Sequence, residues 1–194
     1  MKLSHAALID LLRRAYSAEK AAAFAYQGHA GSLKDEGQKA AVRQIELDEW
    51  VHRGHVLRIM EQYEISVSKF YEFKFHVIGK AISFSCYIIG RFMPFYFAGR
   101  LESGNVCEYF RMMHYFHELG INEHDSILFE MGLKEKEHEL YFLERVSTDR
   151  FLPFFQKLFA WGEGSSFNDV DMNRKYSLES AENYCRQPRV PQHL

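Results

Sequence analysis

Four apolar stripes of helical period in this chain each carry a glutamate near mid-length: Glu19, Glu49, Glu102 and Glu135. Leu8, Leu12, Ala15, Glu19, Ala22 and Tyr26 recur at spacings of three and four. They predict a helix over about residues 4–30, capped by Ser4 and ended by the glycines at 28 and 31. Asp35 with Gln38 reads as a capping box for a second helix, striped by Val42, Ile45, Glu49, His52, Val56, Ile59 and Tyr63. The stretch from Phe70 to Phe97 is the most apolar of the chain, interrupted by His76, Lys80, Arg91 and Pro94. It predicts a helix, a break near residues 90–94, and another helix with Phe95, Ala98, Glu102, Asn105, Tyr109, Met112 and Phe116 on one face. Gly120 should end that helix, and a further one begins near Asn122 with the stripe Leu128, Met131, Glu135, His138, Phe142 and Val146. Residues 147–149 should cap a short last helix ending near Trp161. No alternating strand pattern competes. The expected organisation is an all-α helical bundle over residues 1–162 and a C-terminal arm or tail over 163–194, polar at first and later carrying Pro188 and Pro191.

Two of the four glutamates continue with a histidine one turn on, as Glu49-Trp50-Val51-His52 and Glu135-Lys136-Glu137-His138. Positions i and i+3 project from one helix face, so each pair can grip a single metal ion. The order is duplicated: Glu19 precedes Glu49 by 30 residues and Glu102 precedes Glu135 by 33. A step of that size runs up one long helix, round a turn and back to the same height. All four carboxylates are therefore expected at one level inside an antiparallel four-helix bundle. Buried carboxylates repel one another and are costly to desolvate unless something offsets their charge. Two iron ions do so in the known di-iron bundles, which use one Glu from each of two helices and a Glu-x-x-His from each of the other two. Glu19, Glu49, His52, Glu102, Glu135 and His138 are the candidate metal ligands and catalytic residues. Glu46, Asp48, Glu108, Glu137 and Glu139 read as solvated groups or groups behind the ligands, and His55 as a surface histidine or one of the latter. His5, His29, His114, His117, His124 and His193 have no metal-ligand spacing. Tyr26 and Tyr109 each follow a glutamate by seven residues and either pack the core or line a substrate pocket.

A chain of 194 residues, 47% apolar and 26% charged, can bury one core of ordinary size. Its net charge of -2 gives no general attraction for nucleic acid. Cys86, Cys107 and Cys185 are widely spaced and form no C-x-x-C, which excludes a zinc ribbon or a disulfide framework and points to a reducing compartment. MKLSHAALIDLLRR lacks the apolar core of a signal peptide, and no uncharged apolar run reaches the ~18 residues a membrane span needs. The expected setting is cytoplasmic, free or peripheral on a membrane face.

With the ligand pattern placed, the chain resembles the ferritin-like di-iron proteins, and more narrowly the demethoxyubiquinone hydroxylase family, over about residues 4–146. AEKAAAFAYQG at residues 18–28 is similar to that family's G-E-x-G-A-x-x-x-Y-x-G, and VIGKAISFSCYIIG at residues 77–90 is similar to its glycine-marked apolar helix before the third glutamate. Ala15-Tyr16-Ser17 stands where the family has Asp-His, and Glu108-Tyr109 where it has His-Tyr. The resemblance implies a ferritin-like four-helix bundle with an extra apolar helix before the third bundle helix. It further implies a di-iron centre with O2 as co-substrate, hydroxylating a quinone-like lipid. The partners would be an electron donor and a membrane surface met through residues 76–97, with a homo-oligomer left open. The chain carries no flavin or NAD fingerprint of its own. Ile78, Ile82, Phe84, Ile88, Ile89, Phe92 and Phe95 exceed what a bundle face needs, which suits a lipid surface or else a dimer interface. Three alternatives remain: an iron-binding or peroxide-scavenging protein, an oxygenase of a modified tRNA base or fatty aldehyde, and an interaction protein without metal.

Overall fold

The computed structural model describes residues 2–162 as six helices and no strand: α1 (Ala6–Ser32), α2 (Glu36–Gln62), α3 (Lys69–Ser85), α4 (Phe92–Glu118), α5 (Asp125–Val146) and α6 (Leu152–Phe159). The described chain is all-α, as its periodicity requires, and the expected arm at 163–194 lies outside the described residues. No helix among the described residues is long and apolar enough to cross a membrane. The chain divides into two compact units, residues 1–94 and those from Phe95 on.

In the first unit α1 packs along both α2 and α3. Its cap is His5, not Ser4: the Leu8 N–H donates to His5 Nδ1 at 3.0 Å. The glycines do not end α1, which runs through Gly28 and Gly31 to Ser32. They serve close packing instead. A Cβ on Gly28 would collide with the Ser83 carbonyl, and one on Gly79 of α3 would lie 2.7 Å from the Ala21 Cα. The α2 start is as expected, with Asp35 Oδ1 accepting from the Gln38 N–H at 2.7 Å, and its predicted stripe is buried. The break after α3 comes earlier than predicted, over residues 86–91, with Gly90 at φ 79°. Pro94 lies within the first turn of α4, where a missing N–H costs nothing.

A charged clamp ties the three helices together. Arg53 of α2 donates to both Glu72 carboxylate oxygens at 3.1 and 3.0 Å, and Lys20 of α1 donates to Oε2 at 2.6 Å. The same guanidinium stacks on the Tyr16 ring with its carbon 3.6 Å from the centroid. Burial by itself would raise the Glu72 pKa, but hydrogen bonds from Arg53, Lys20 and Ser17 together with the Arg53 charge outweigh it and bring it to about 2. His29, buried near the end of α1, is moved the other way from a cation's needs: desolvation, aided by the Arg91 charge, lowers it to about 4.

Both groups bind a proton more readily in the unfolded chain, so both make stability fall as the medium is acidified. The His29 contribution is full above its ordinary 6.5 and is lost as pH falls toward about 4, an effect on the order of 3 kcal/mol. Glu72 acts lower, between 4.5 and about 2. Urea unfolding across this range should therefore show a decline that His29→Gln flattens in the upper window and Glu72→Gln in the lower. Unchanged pH profiles in both variants would contradict these assignments.

In the second unit Gly120, at φ 72°, closes α4, with the Gly120 N–H donating to the His117 carbonyl at 2.9 Å and the Ile121 N–H to the Phe116 carbonyl at 3.0 Å. The next helix starts at Asp125, later than predicted, and His117 Nε2 lies 2.7 Å from Asp125 Oδ2 across this turn. Phe151 is the N-cap of α6 and no side chain among the described residues caps the helix, so Asp149 does not cap it as expected; its Oδ1 accepts from the Phe151 N–H at 3.0 Å in the turn before the helix. Beyond α6 the Trp161 ring enters a slot that a Cβ on Gly99 would fill. Tyr96 fastens it there, its hydroxyl lying 2.8 Å from the Trp161 carbonyl and 2.9 Å from that of Phe155. Cys86 is a free buried thiol, pushed up to about 11 by burial. Cys107, on α4, is buried.

Candidate metal centre

Each unit buries one of the predicted ligand triads. In the first, Glu19 comes from the middle of α1, and Glu49 and His52 from one face of α2. One ligand atom from each of the three lies within 4.8 Å of the others. In the second unit Glu102 of α4 meets Glu135 and His138 of α5 within the same limit. The helical i, i+3 relation places each histidine beside its glutamate, and His138 Nδ1 is 3.7 Å from Glu135 Oε2. Asn105, one turn after Glu102 on the same stripe, donates to Glu102 Oε2 at 2.9 Å and so orients that carboxylate.

All six residues are buried, with Glu49, Glu102 and Glu135 showing 0% exposure. A triad of two carboxylates and one imidazole is a donor set for a divalent transition metal such as iron or manganese. A divalent cation also offsets the negative charge each triad takes out of water. These buried groups are thus able to hold a metal ion. Tyr26 and Tyr109, two turns beyond Glu19 and Glu102, are both buried.

The other acids divide between the two readings the sequence left open. Glu46 pairs with Arg43 at 2.6 Å, Asp48 accepts from Gln44 at 2.9 Å, and Glu137, exposed, pairs with Lys134. Glu108 is half-buried. Glu139 is not solvated: it is wholly buried, accepting from Lys136 Nζ at 2.9 Å and from the Trp161 indole N–H at 2.9 Å. The only signal for it in the sequence is a Lys and a Glu three residues apart, each beside a ligand of α5. His55 is a half-exposed neighbour of Arg58, and His114 pairs with Glu118. His124 is buried against Phe116, and burial lowers its pKa. His193 lies outside the described residues.

No protein-family model, no curated protein and no solved structure matches this chain.

Proposed function

We propose that the chain is a ferritin-like di-iron monooxygenase that hydroxylates a quinone-like lipid ring with O2. The observation that carries the reading is the duplicated buried triad, a Glu and a Glu-x-x-His in each unit. In this reading Glu19, Glu49 and His52 would hold one iron and Glu102, Glu135 and His138 a second. Bound iron supplies the activation of O2. The protein supplies position and dryness: apolar side chains around each triad exclude water, and Tyr26 and Tyr109, each buried two turns beyond a ligand of its own unit, are the candidate substrate-pocket residues. Electrons come from a separate reductant.

The outer surface of α3 supports a lipid substrate over a small soluble one. Phe70, Phe73 and Phe84 of α3 and Ile88 in the turn after it are each about two-thirds exposed or more, at 70%, 72%, 69% and 68%. Glu72 is the one acid between Ile65 and Leu101, and it turns inward to Arg53 and Lys20. The outward charges are then cationic, with Lys69, Lys74 and Lys80 exposed, which suits the headgroup region of an anionic bilayer. Phe92 and Phe95, counted with this patch from sequence, are core residues at 7% and 0% exposure. The lipid face is therefore centred on residues 70–89 rather than 76–97.

The test is turnover with isotopically labelled O2, a chemical reductant and a quinone-like lipid lacking one ring hydroxyl, presented in vesicles. Label is expected in the ring of the product, and Glu102→Ala should abolish it. Iron-loaded protein that consumes O2 without labelling the lipid would overturn the substrate assignment.

A further inference from the structure

We infer that α6 is a second lipid-inserting element, anchoring the second unit to an anionic bilayer as α3 anchors the first; the inference rests on the lipid reading of α3. The two units share one plan. A helix with a single Glu ligand is followed by a helix with Glu-x-x-His, and then by a helix that returns to pack on the first. In the first unit α3 returns to α1. In the second α6 returns to α4, with the Arg100 Nε–H donating to the Phe159 carbonyl at 3.0 Å and the Phe97 and Phe159 rings 5.1 Å apart.

Phe155 and Phe159 turn toward Tyr96 and Phe97. The opposite face carries Phe151, Phe154 and Leu158 at spacings of three and four, exposed by 45%, 65% and 61%. An apolar helix face normally buries itself, and among the described residues nothing covers this one. Its charge complement points to the occupant. Arg150 and Lys157 are exposed beside the stripe, and no acid occurs between Arg150 and Gly162. The Arg150 guanidinium carbon sits 4.8 Å from the Phe151 ring centroid, so cation and aromatic share one edge. A narrow aromatic stripe bordered by cations matches the boundary between acyl chains and anionic headgroups. Three side chains are too few for a stable second copy, which needs roughly 800 Å² from each partner.

The test is co-sedimentation of the full chain with phosphatidylcholine vesicles, with and without phosphatidylglycerol. Wild type should bind the mixed vesicles more tightly. Phe151→Ser with Phe154→Ser and Leu158→Ser should weaken that binding by roughly tenfold or more. A second variant, Arg150→Glu with Lys157→Glu, keeps the apolar stripe and should reduce the preference for phosphatidylglycerol, the α3 lysines supplying what remains. Far-UV circular dichroism should stay at the wild-type level in both, since every substituted residue is exposed. Phe70→Ser with Phe73→Ser and Phe84→Ser tests α3 separately. Unchanged binding in the α6 variants with loss in the α3 variant overturns the inference and leaves the lipid reading standing. Loss in the α6 variant alone overturns α3 as the anchor. Wild type that stays in the supernatant with both vesicles overturns both. An α6 variant that changes oligomeric state at unchanged vesicle binding assigns the stripe to self-association and also overturns the inference.

Discussion

Titrating the anaerobic protein with Fe²⁺ is expected to saturate at two ions per chain, and Glu135→Ala with His138→Ala should reduce this to one or none. The double substitution removes two of the three ligands from the triad of the second unit, and one remaining carboxylate cannot hold an ion against water. The effect should also appear as stability, because a ligand that binds only the folded chain at a hundredfold its Kd adds about 2.7 kcal/mol. For a chain of this length that corresponds to roughly 5–10 °C in Tm. Mn²⁺, which takes the same donors without the redox chemistry of iron, should give the same rise under air. Wild-type stoichiometry and wild-type stabilisation in the double variant would remove the triads from the metal reading altogether.

Breaking the buried pair behind the second triad is expected to be strongly destabilising. Lys136 is 2% exposed and Glu139 0%, joined at 2.9 Å. The Trp161 indole holds the other Glu139 oxygen. Lys136→Met leaves a carboxylate in the interior with its principal cation gone, which costs about 3–5 kcal/mol. Glu139→Leu strands the ammonium and should cost a similar amount. The pair replaced together, Lys136→Met with Glu139→Leu, should recover most of the loss, since no uncompensated charge remains. Urea unfolding of the two single variants and the double closes the cycle. Additive losses in the double variant would show that packing around Trp161 matters and that the ion pair does not.

Local pattern carried a great deal. The stripes through Glu19, Glu49, Glu102 and Glu135 are regular enough that each predicted helix is present, and the i, i+3 spacing of Glu49 with His52 and Glu135 with His138 follows from helical geometry alone. The Asp35 cap and the Gly120 stop are decided within one turn of chain, so they were readable too. Where the reading missed, the cause lay in residues distant along the chain. Gly28 looks like a helix terminator until Ser83 is seen against it, because close packing and termination call for the same residue. Glu139 looks like one more acid on a charged helix until Trp161, 22 residues away, donates to it. Phe92 and Phe95 look like their exposed neighbours on the apolar segment because hydrophobicity does not say which side is covered. Periodicity determined which residues share a helix face, since that depends only on 3.6 residues per turn. Tertiary packing alone decided which faces are buried and which charges pair across the chain, since burial belongs to the assembled helices and not to any one of them.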